Sequence, residues 1–460
     1  MGTFALTETH SHALIIGAGC AGLLAASALA PYFSRVTIID QDAAPDDDVF
    51  AVRRSTPQSQ HAHHLLFEGK RVIDMLYPGF SSAFVGRGGK QLDFGADFRF
   101  FQSGRWRRPR RLGVPMYLGM REMMEGAMRD GLAAHRNVSL EWSTKADALI
   151  VESGRCVGAT LDRNGQQETV SADLVIDATG RWSKLGDAAP RRFTIDVWYT
   201  TFLLATRFAH APDWSVLIGY NKRPEQRVAC YAGFTAPGES ILQFTIMSYG
   251  LKPPTQFEDC IEFLRHEAPS PLFADLLASG TPIKPPTRLA FPSMDWSPSP
   301  LATNVIRIGD AACSVDPVTG VGVTKAALEA ELLSKLLASE TPLNEIGAAF
   351  DKGARRLRKR AWDFLYEQNS RFTVSGSALA RRYMDRVMDL AQDGDGIFKT
   401  FVKVRNLVTP MAAFYHPSIA ARVLLSAFSN RPPDEDSTPV LPPTSGSEQR
   451  QTAASTMSSR

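Results

Sequence analysis

Cysteine is scarce, with five in 460 residues, at Cys20, Cys156, Cys230, Cys260 and Cys313. Their number is odd, their spacing irregular, and no CxxC or Cys/His pattern joins them. This excludes a disulfide framework and a zinc site, and it implies reduced thiols and a cytoplasmic protein. Long apolar runs are missing as well. No stretch reaches the roughly eighteen apolar residues that cross a bilayer. Met1–Ser11 has no basic segment followed by an apolar one, so no secretion signal is expected either. Nor does one sign of charge dominate. Lys and Arg number 51 against 48 Asp and Glu, and a formal net charge of +3 gives no bulk electrostatic case for nucleic acid. There is no internal repeat of solenoid period. What remains, 44% hydrophobic and 22% charged, is the composition of a soluble globular protein. At 460 residues the chain suits two or three associated units rather than one core.

His12–Ile16 (HALII) is a short apolar run ending on glycine, the pattern of a buried parallel strand. Gly22–Ala30 follows as a helix of small residues and Arg35–Asp40 (RVTIID) as a second strand, a βαβ unit of about thirty residues. Asp173–Asp177 (DLVID) and Asn304–Gly309 (NVIRIG) repeat the apolar strand that ends on Asp or Gly. Strands of one parallel sheet are therefore separated by long insertions. The largest, 191–286, holds β-rich stretches at Trp198–Phe208 and Ser240–Ser248. From Val323 onward the pattern is helical. The stretch after Asn430 is rich in Pro, Ser, Thr, Gln and Glu and reads as a disordered tail.

Gly17-Ala18-Gly19-Cys20-Ala21-Gly22 is a GxGxxG placed between a strand and a helix. Gly17 allows the tight turn, Gly19 the approach of a pyrophosphate to the backbone, and Gly22 close packing of helix on strand. Asp40 ends the second strand, where an acidic residue accepts hydrogen bonds from an adenosine ribose. A glycine turn alone can be structural. Strand, helix and acid together point to dinucleotide binding.

Val305–Thr324 (VIRIGDAACSVDPVTGVGVT) is a strand, then Gly309-Asp310, a turn with Pro317, and Gly320-Val321-Gly322 opening a helix. It resembles the second FAD fingerprint of flavin monooxygenases of the aromatic-hydroxylase type. That resemblance implies that Asp310 holds the ribitol hydroxyls and that Gly320 to Val323 lie against the isoalloxazine. Leu174–Lys184 (LVIDATGRWSK) matches the position of that family's middle motif, with Thr179-Gly180 where Asp-Gly is usual. Arg53–Leu66 (RRSTPQSQHAHHLL) and Leu118–Met128 (LGMREMMEGAM) look like flavin-dependent epoxidases and hydroxylases of natural-product pathways, such as the polyether epoxidases. By that likeness Arg53 and Arg121 reach the cofactor. Thr179 and Cys313, the latter standing where histidine is common, depart from the family pattern. They leave two electron sources, NAD(P)H directly or a separate flavin reductase.

The resulting expectation is an α/β fold: a discontinuous Rossmann-type FAD-binding domain (10–93, 112–190 and 287–350), an inserted β-sheet substrate domain (191–286) with a hairpin from 94–111, C-terminal helices (351–429) and a tail (430–460). The expected function is monooxygenation, with FAD as cofactor and O₂ as co-substrate, by hydroxylation or epoxidation of a small molecule in secondary metabolism. Trp198, Tyr199, Phe202, Phe234 and Phe244 suggest an apolar or aromatic ligand. No residue is assigned as catalytic acid or base. A halogenase, a prenyl-chain reductase or cyclase, and a flavin-binding interaction protein without turnover are the alternatives. A halogenase would carry a Trp-x-Trp-x-Ile-Pro segment, and none is present. Plainer readings are preferred elsewhere. His61, His63 and His64 are read as structural rather than as a covalent flavin tether, Arg105–Arg111 as a solvated hairpin turn, Arg355–Arg360 as an exposed face, Asp46–Asp48 as a loop and Cys313 as packing.

Overall fold

A computed structural model of the chain describes residues 10–46, 53–61, 63–185, 190–193, 197–220, 227–235, 240–290, 292–296, 301–373, 377–426 and 437–443. The separated apolar runs meet in one five-stranded parallel sheet. Its order is Val305–Arg307, Leu174–Asp177, His10–Ile16, Phe33–Ile39, Val138–Glu141, with Ile15 between Ile176 and Ile38. Both faces are covered. Ala13, Ile15, Val36, Ile38 and Ile176 pack against residues of the helices Cys20–Leu29, Arg121–Leu132 and Gly322–Ala338. Leu14, Ile16, Ile39 and Val175 pack against Cys156, Ala159 and Leu161. The latter belong to an antiparallel meander, Thr144–Glu152, Arg155–Arg163 and Gln166–Ser171, which the sequence reading did not anticipate. Each buried aliphatic side chain contributes roughly 1.5–3 kcal/mol, so these two apolar faces hold the dispersed segments together. The sheet's C-terminal edge gathers Gly17, Asp40, the Thr179 loop and the Gly309 turn in one place, where ligands of open α/β sheets bind.

A second, eight-stranded sheet runs Thr281–Pro282, Val197–Ala205, Ile241–Tyr249, Val228–Phe234, Val216–Tyr220, Phe98–Gln102, Arg105–Trp106, with Thr287–Ala290 also paired to Val197–Ala205. Strand alternation separates its two faces. Val197, Tyr199, Ala229, Tyr231, Met247 and Tyr249 pack toward Val315, Val321 and the C-terminal helices. Phe202, Leu204, Cys230, Phe234, Phe244 and Ile246 face the other way, onto the helices Phe257–Glu267 and Leu272–Ser279. The sheet expected within 191–286 is present, and those two helices are an addition that its β-rich stretches did not announce. The alternation corrects the inference from its aromatics. Phe202, Phe234 and Phe244 belong to a separate core, and Trp198 lies under the cations of Lys252 and Arg288. Of the five, Tyr199 packs on the side of the cofactor loops.

The C-terminal helices are Ile346–Thr373, Ala378–Asp393, Asp395–Arg405 and Pro417–Ser426. Three further expectations are corrected here. Arg105 and Arg107 of the hairpin pair with Asp393 (2.6 Å) and Asp395 (2.9 Å), and the Arg107 guanidinium sits 3.9 Å over the Phe398 ring. Arg107 is 2% exposed. Arg105 and Arg107 clamp the helices, because a cation carrying a long apolar stem buries well when a carboxylate and an aromatic face receive it, while Arg108 and Arg111 stay exposed as expected of a turn. Within Arg355–Arg360, Arg358 is buried and bonded to Glu329 and Asp351, so this segment is not simply an exposed face. In the tail, 437–443 is ordered: Pro443 accepts a bond from the Ala209 amide (2.8 Å), and Leu441 joins the outer core of the large sheet. Part of the Asp46–Asp48 stretch lies outside the described residues, as does the remainder of the tail. No helix among the described residues is long and apolar enough to cross a membrane, and no cluster of His, Cys, Asp and Glu among them could hold a metal ion.

Candidate functional site

The first glycine motif folds as a turn that only glycine tolerates. Gly17 has φ +109°, and a Cβ there would lie 2.5 Å from the Ala178 carbonyl oxygen. A Cβ on Gly22 would come within 1.8 Å of the Gly17 carbonyl oxygen, so helix Cys20–Leu29 seats directly on the turn. Its N-terminus lies at the sheet edge, a positive end suited to a phosphate. Asp40 Oδ2 accepts from the Ala18 amide at 2.7 Å and Oδ1 from the Asp42 amide at 3.0 Å. Burial raises the Asp40 carboxyl above its ordinary range, against those amides and Arg53.

A carboxylate the sequence reading missed organises this end. Glu125, 1% exposed, accepts from Arg53 (2.6 Å), from Arg121 (2.7 Å) and from the Cys20 amide (3.0 Å). Burial would raise its pKa, but Arg121 and Arg53 outweigh burial and hold it down at about 2. Arg53 and Arg121 thus converge beside Gly19, whose Cβ would stand 3.1 Å from Arg121 Nη2. The Arg121–Glu125 spacing, i to i+4 on one helix, was a readable signal. Arg53–Glu125, 72 residues apart, was not.

The second fingerprint packs on the first. Gly309 has φ +64°, and its Cβ would meet that of Ala21 at 2.6 Å. A buried network fastens the turn: Glu329 accepts from the Gly309 amide (2.7 Å) and from Arg358 (2.9 Å), while Lys325 Nζ donates to the Gly309 carbonyl (2.7 Å). The Asp310 side chain remains one-third exposed, 3.9 Å from Arg181. After the 3₁₀ turn Pro317–Thr319, Gly320 takes φ +65°, Val321 is buried, and Gly322 opens the helix with nothing within 4 Å of an added Cβ. Open space at Gly180 is similar, where φ is +84°. The Thr179 hydroxyl turns inward to Asp177 Oδ1 (2.6 Å), which also accepts the Thr179 amide (3.1 Å). Thr179 thus shapes the loop through Asp177, itself 0% exposed. The glycine cradle, the two helix N-termini and the open Asp310 carboxylate fit an extended dinucleotide with a polyol linker.

The large sheet roofs this edge. Tyr199 donates to Asp316 beside Pro317, and its ring stands edge-on to His61 at 5.9 Å between centroids. The His61 ring bonds Thr201 at 2.7 Å, Thr201 bonds Thr245 at 2.8 Å, and Gln243 donates to the Gln60 carbonyl at 2.7 Å. Desolvation, with His63 adjacent, lowers His61 to about 3, and desolvation with Arg121 nearby lowers His63 to about 4. The imidazoles are therefore neutral at physiological pH. His63 and His64 lie in the strand His63–Leu65, just before the helix Phe67–Leu76. Cys313 is fully buried, and desolvation lifts its thiol to about 12, which leaves it inert packing.

A family description of an FAD binding domain matches residues 50–202. Protein Rv3254 of Mycobacterium tuberculosis is 26% identical over 361 residues, 71% of this chain and 73% of that protein. PqsL, a probable FAD-dependent monooxygenase from Pseudomonas aeruginosa, superposes with a TM-score of 0.60 at 17% identity, over 79% of this chain and 98% of PqsL. The 2-methyl-3-hydroxypyridine-5-carboxylic acid oxygenase gives 0.60 at 19%, over 79% and 92%. The flavin-dependent brominase Bmp2 gives 0.65 at 14%, over 91% and 99%. At such identities the likeness is one of fold. With an FAD binding domain recognised in its sequence and this fold around it, the chain is a flavin-dependent oxidoreductase built on the fold of the FAD-dependent monooxygenases.

Proposed function

We propose that the protein is a monooxygenase that transfers one oxygen atom from O₂ to a largely apolar small molecule, by hydroxylation or epoxidation, in secondary metabolism. The observation that carries this reading is the roof: Tyr199 reaches Asp316 beside the Pro317–Gly322 loop, so the sheet's inner face closes over the place where the flavin ring would lie. In this reading Gly17, Gly19, Cys20, Ala21 and Gly22 receive the pyrophosphate and Asp40 the ribose. Arg53 and Arg121 flank the phosphates, Asp310 holds the ribitol, Thr179 and Gly180 line the middle loop, and Pro317, Gly320, Val321 and Gly322 border the ring. Bound FAD supplies the redox and oxygen chemistry. The chain supplies position and a dry roof, which limits wasteful peroxide release. NAD(P)H or a partner flavin reductase supplies electrons. Because Thr179 is turned to Asp177, we expect NADPH alone to bleach the flavin slowly and an added reductase to speed turnover. Bmp2 motivates halogenation as the second reading, although the tryptophan motif is missing. Product mass after incubation with a candidate pool under ¹⁸O₂, with bromide present, tests both. A mass gain of one ¹⁸O supports oxygen transfer, bromine incorporation supports the second reading, and flavin turnover with neither overturns both.

A further inference from the structure

Arg405, at the end of the helix Asp395–Arg405, is 3% exposed. Arg53, Arg99, Arg107, Arg307 and Arg358, the other arginines this deeply buried among the described residues, each meet a carboxylate. Arg405 meets none among them. Its Nε donates to the Thr319 carbonyl at 3.3 Å, its Nη2 donates to His64 Nε2 at 2.5 Å, and its guanidinium stands 5.5 Å over the Phe94 ring. Burying a cation with no compensating charge is strongly unfavourable. Among the described residues, two further polar atoms here lack partners. Tyr231 Oη and His64 Nδ1 are buried without a hydrogen bond, and the two rings stack at 6.2 Å. Since His64 Nε2 accepts from Arg405, its proton lies on Nδ1, and desolvation keeps the ring neutral. The cluster thus offers donors of three kinds, guanidinium, imidazole N–H and phenol, and no acceptor of matching charge. It abuts the loop at Gly320, whose Cβ would lie 2.4 Å from His64 Nε2 and 3.0 Å from Arg405 Nη2.

We propose that Arg405, with His64 and Tyr231, receives a carboxylate carried by the substrate, so that the enzyme's substrates are acids with an apolar body. The inference rests on reading the Pro317–Gly322 loop as the border of the flavin ring, and it adds the substrate's chemical class. A carboxylate can take two parallel bonds from a guanidinium, and a primary amide of the same shape cannot supply the charge.

The test uses the FAD-loaded protein and three probes, benzoate, 2-naphthoate and decanoate, each against its primary amide, with binding read from the perturbation of the flavin absorbance. The expected result is at least tenfold tighter binding of one or more acids than of the matching amides. That preference should be lost in Arg405→Gln, partly kept in Arg405→Lys, and reduced severalfold in Tyr231→Phe, all with FAD content unchanged. If Arg405→Gln does not fold, the Arg405→Lys and Tyr231→Phe arms decide. Absence of an acid-over-amide preference in the unmodified protein overturns the proposal, as does a preference that survives Arg405→Gln. Loss of FAD from the Arg405 variants overturns it too, because the cation would then serve the cofactor. Oxygen incorporation is measured separately, so failure here leaves the monooxygenase reading standing, and a failure there is distinguishable from this one.

Discussion

Replacing Glu125 by Gln removes one negative charge from a deeply buried ionic contact of the nucleotide edge and leaves the shape intact. Glu125 is 1% exposed and is held by Arg53, Arg121 and the Cys20 amide at 2.6–3.0 Å. Its carboxyl lies at about 2 in the folded protein against 4.5 ordinarily. This is a depressed acid, so its stabilising effect is complete above pH 4.5 and is lost as pH falls toward the folded value. At 1.36 kcal/mol per pH unit that gap corresponds to about 3 kcal/mol at neutral pH. The glutamine variant should therefore be about 3 kcal/mol less stable than the parent at pH 7, within the range for breaking a buried pair. The difference should shrink by about 2 kcal/mol between pH 7 and pH 3, because the parent's own carboxyl becomes protonated as the protein unfolds. Urea denaturation of both apoproteins, followed by tryptophan fluorescence across that range, measures it. Equal stabilities at pH 7 would refute the reasoning. So would a difference that does not change with pH, which would place the cost in geometry rather than charge.

Gly22→Ala should reduce FAD retention through gel filtration and destabilise the apoprotein by roughly 1–3 kcal/mol, because its Cβ would lie 1.8 Å from a backbone oxygen and 3.0 Å from the carbonyl carbon behind it. Asp310→Ala should weaken FAD binding about tenfold in a fluorescence titration, as expected for hydrogen bonds to a charged group; an unchanged Kd would mean the ribitol lies elsewhere. Tyr199→Phe removes the hydroxyl that Asp316 accepts; FAD content should hold while peroxide release per NADPH consumed rises severalfold, and unchanged coupling would count against the roof as the water-excluding element.

Local signals carried the cofactor half of this protein. GxGxxG between strand and helix, Asp40 at a strand end, and Gly309-Asp310 with Pro317 and Gly320-Val321-Gly322 are contiguous patterns whose chemistry resides in the backbone. Glycine's conformational freedom and a helix's orphan amides act within a few residues. Four of the five parallel strands were likewise legible as apolar runs; the fifth, Val138–Glu141 (VSLE), is a half-exposed edge strand with no such run. Their order was not, nor was the Thr144–Ser171 meander, because strand pairing depends on partners far along the chain. Period-two alternation indicates that a strand has two faces without saying which face meets the ligand. Hence Phe202, Phe234 and Phe244 looked like a substrate wall and proved to be the core beneath two helices. Charge was the least legible. Arg107, Arg358 and Arg405 stand in basic or mixed stretches typical of solvated surfaces, and the carboxylates that allow the first two to be buried arrive from other elements. Arg405 lies 86 residues from the Thr319 carbonyl and 341 from the His64 ring that it meets. Whether a cation is paired, exposed or buried without a partner is settled by side chains that only folding brings within a few ångströms, and the tertiary structure alone decided it.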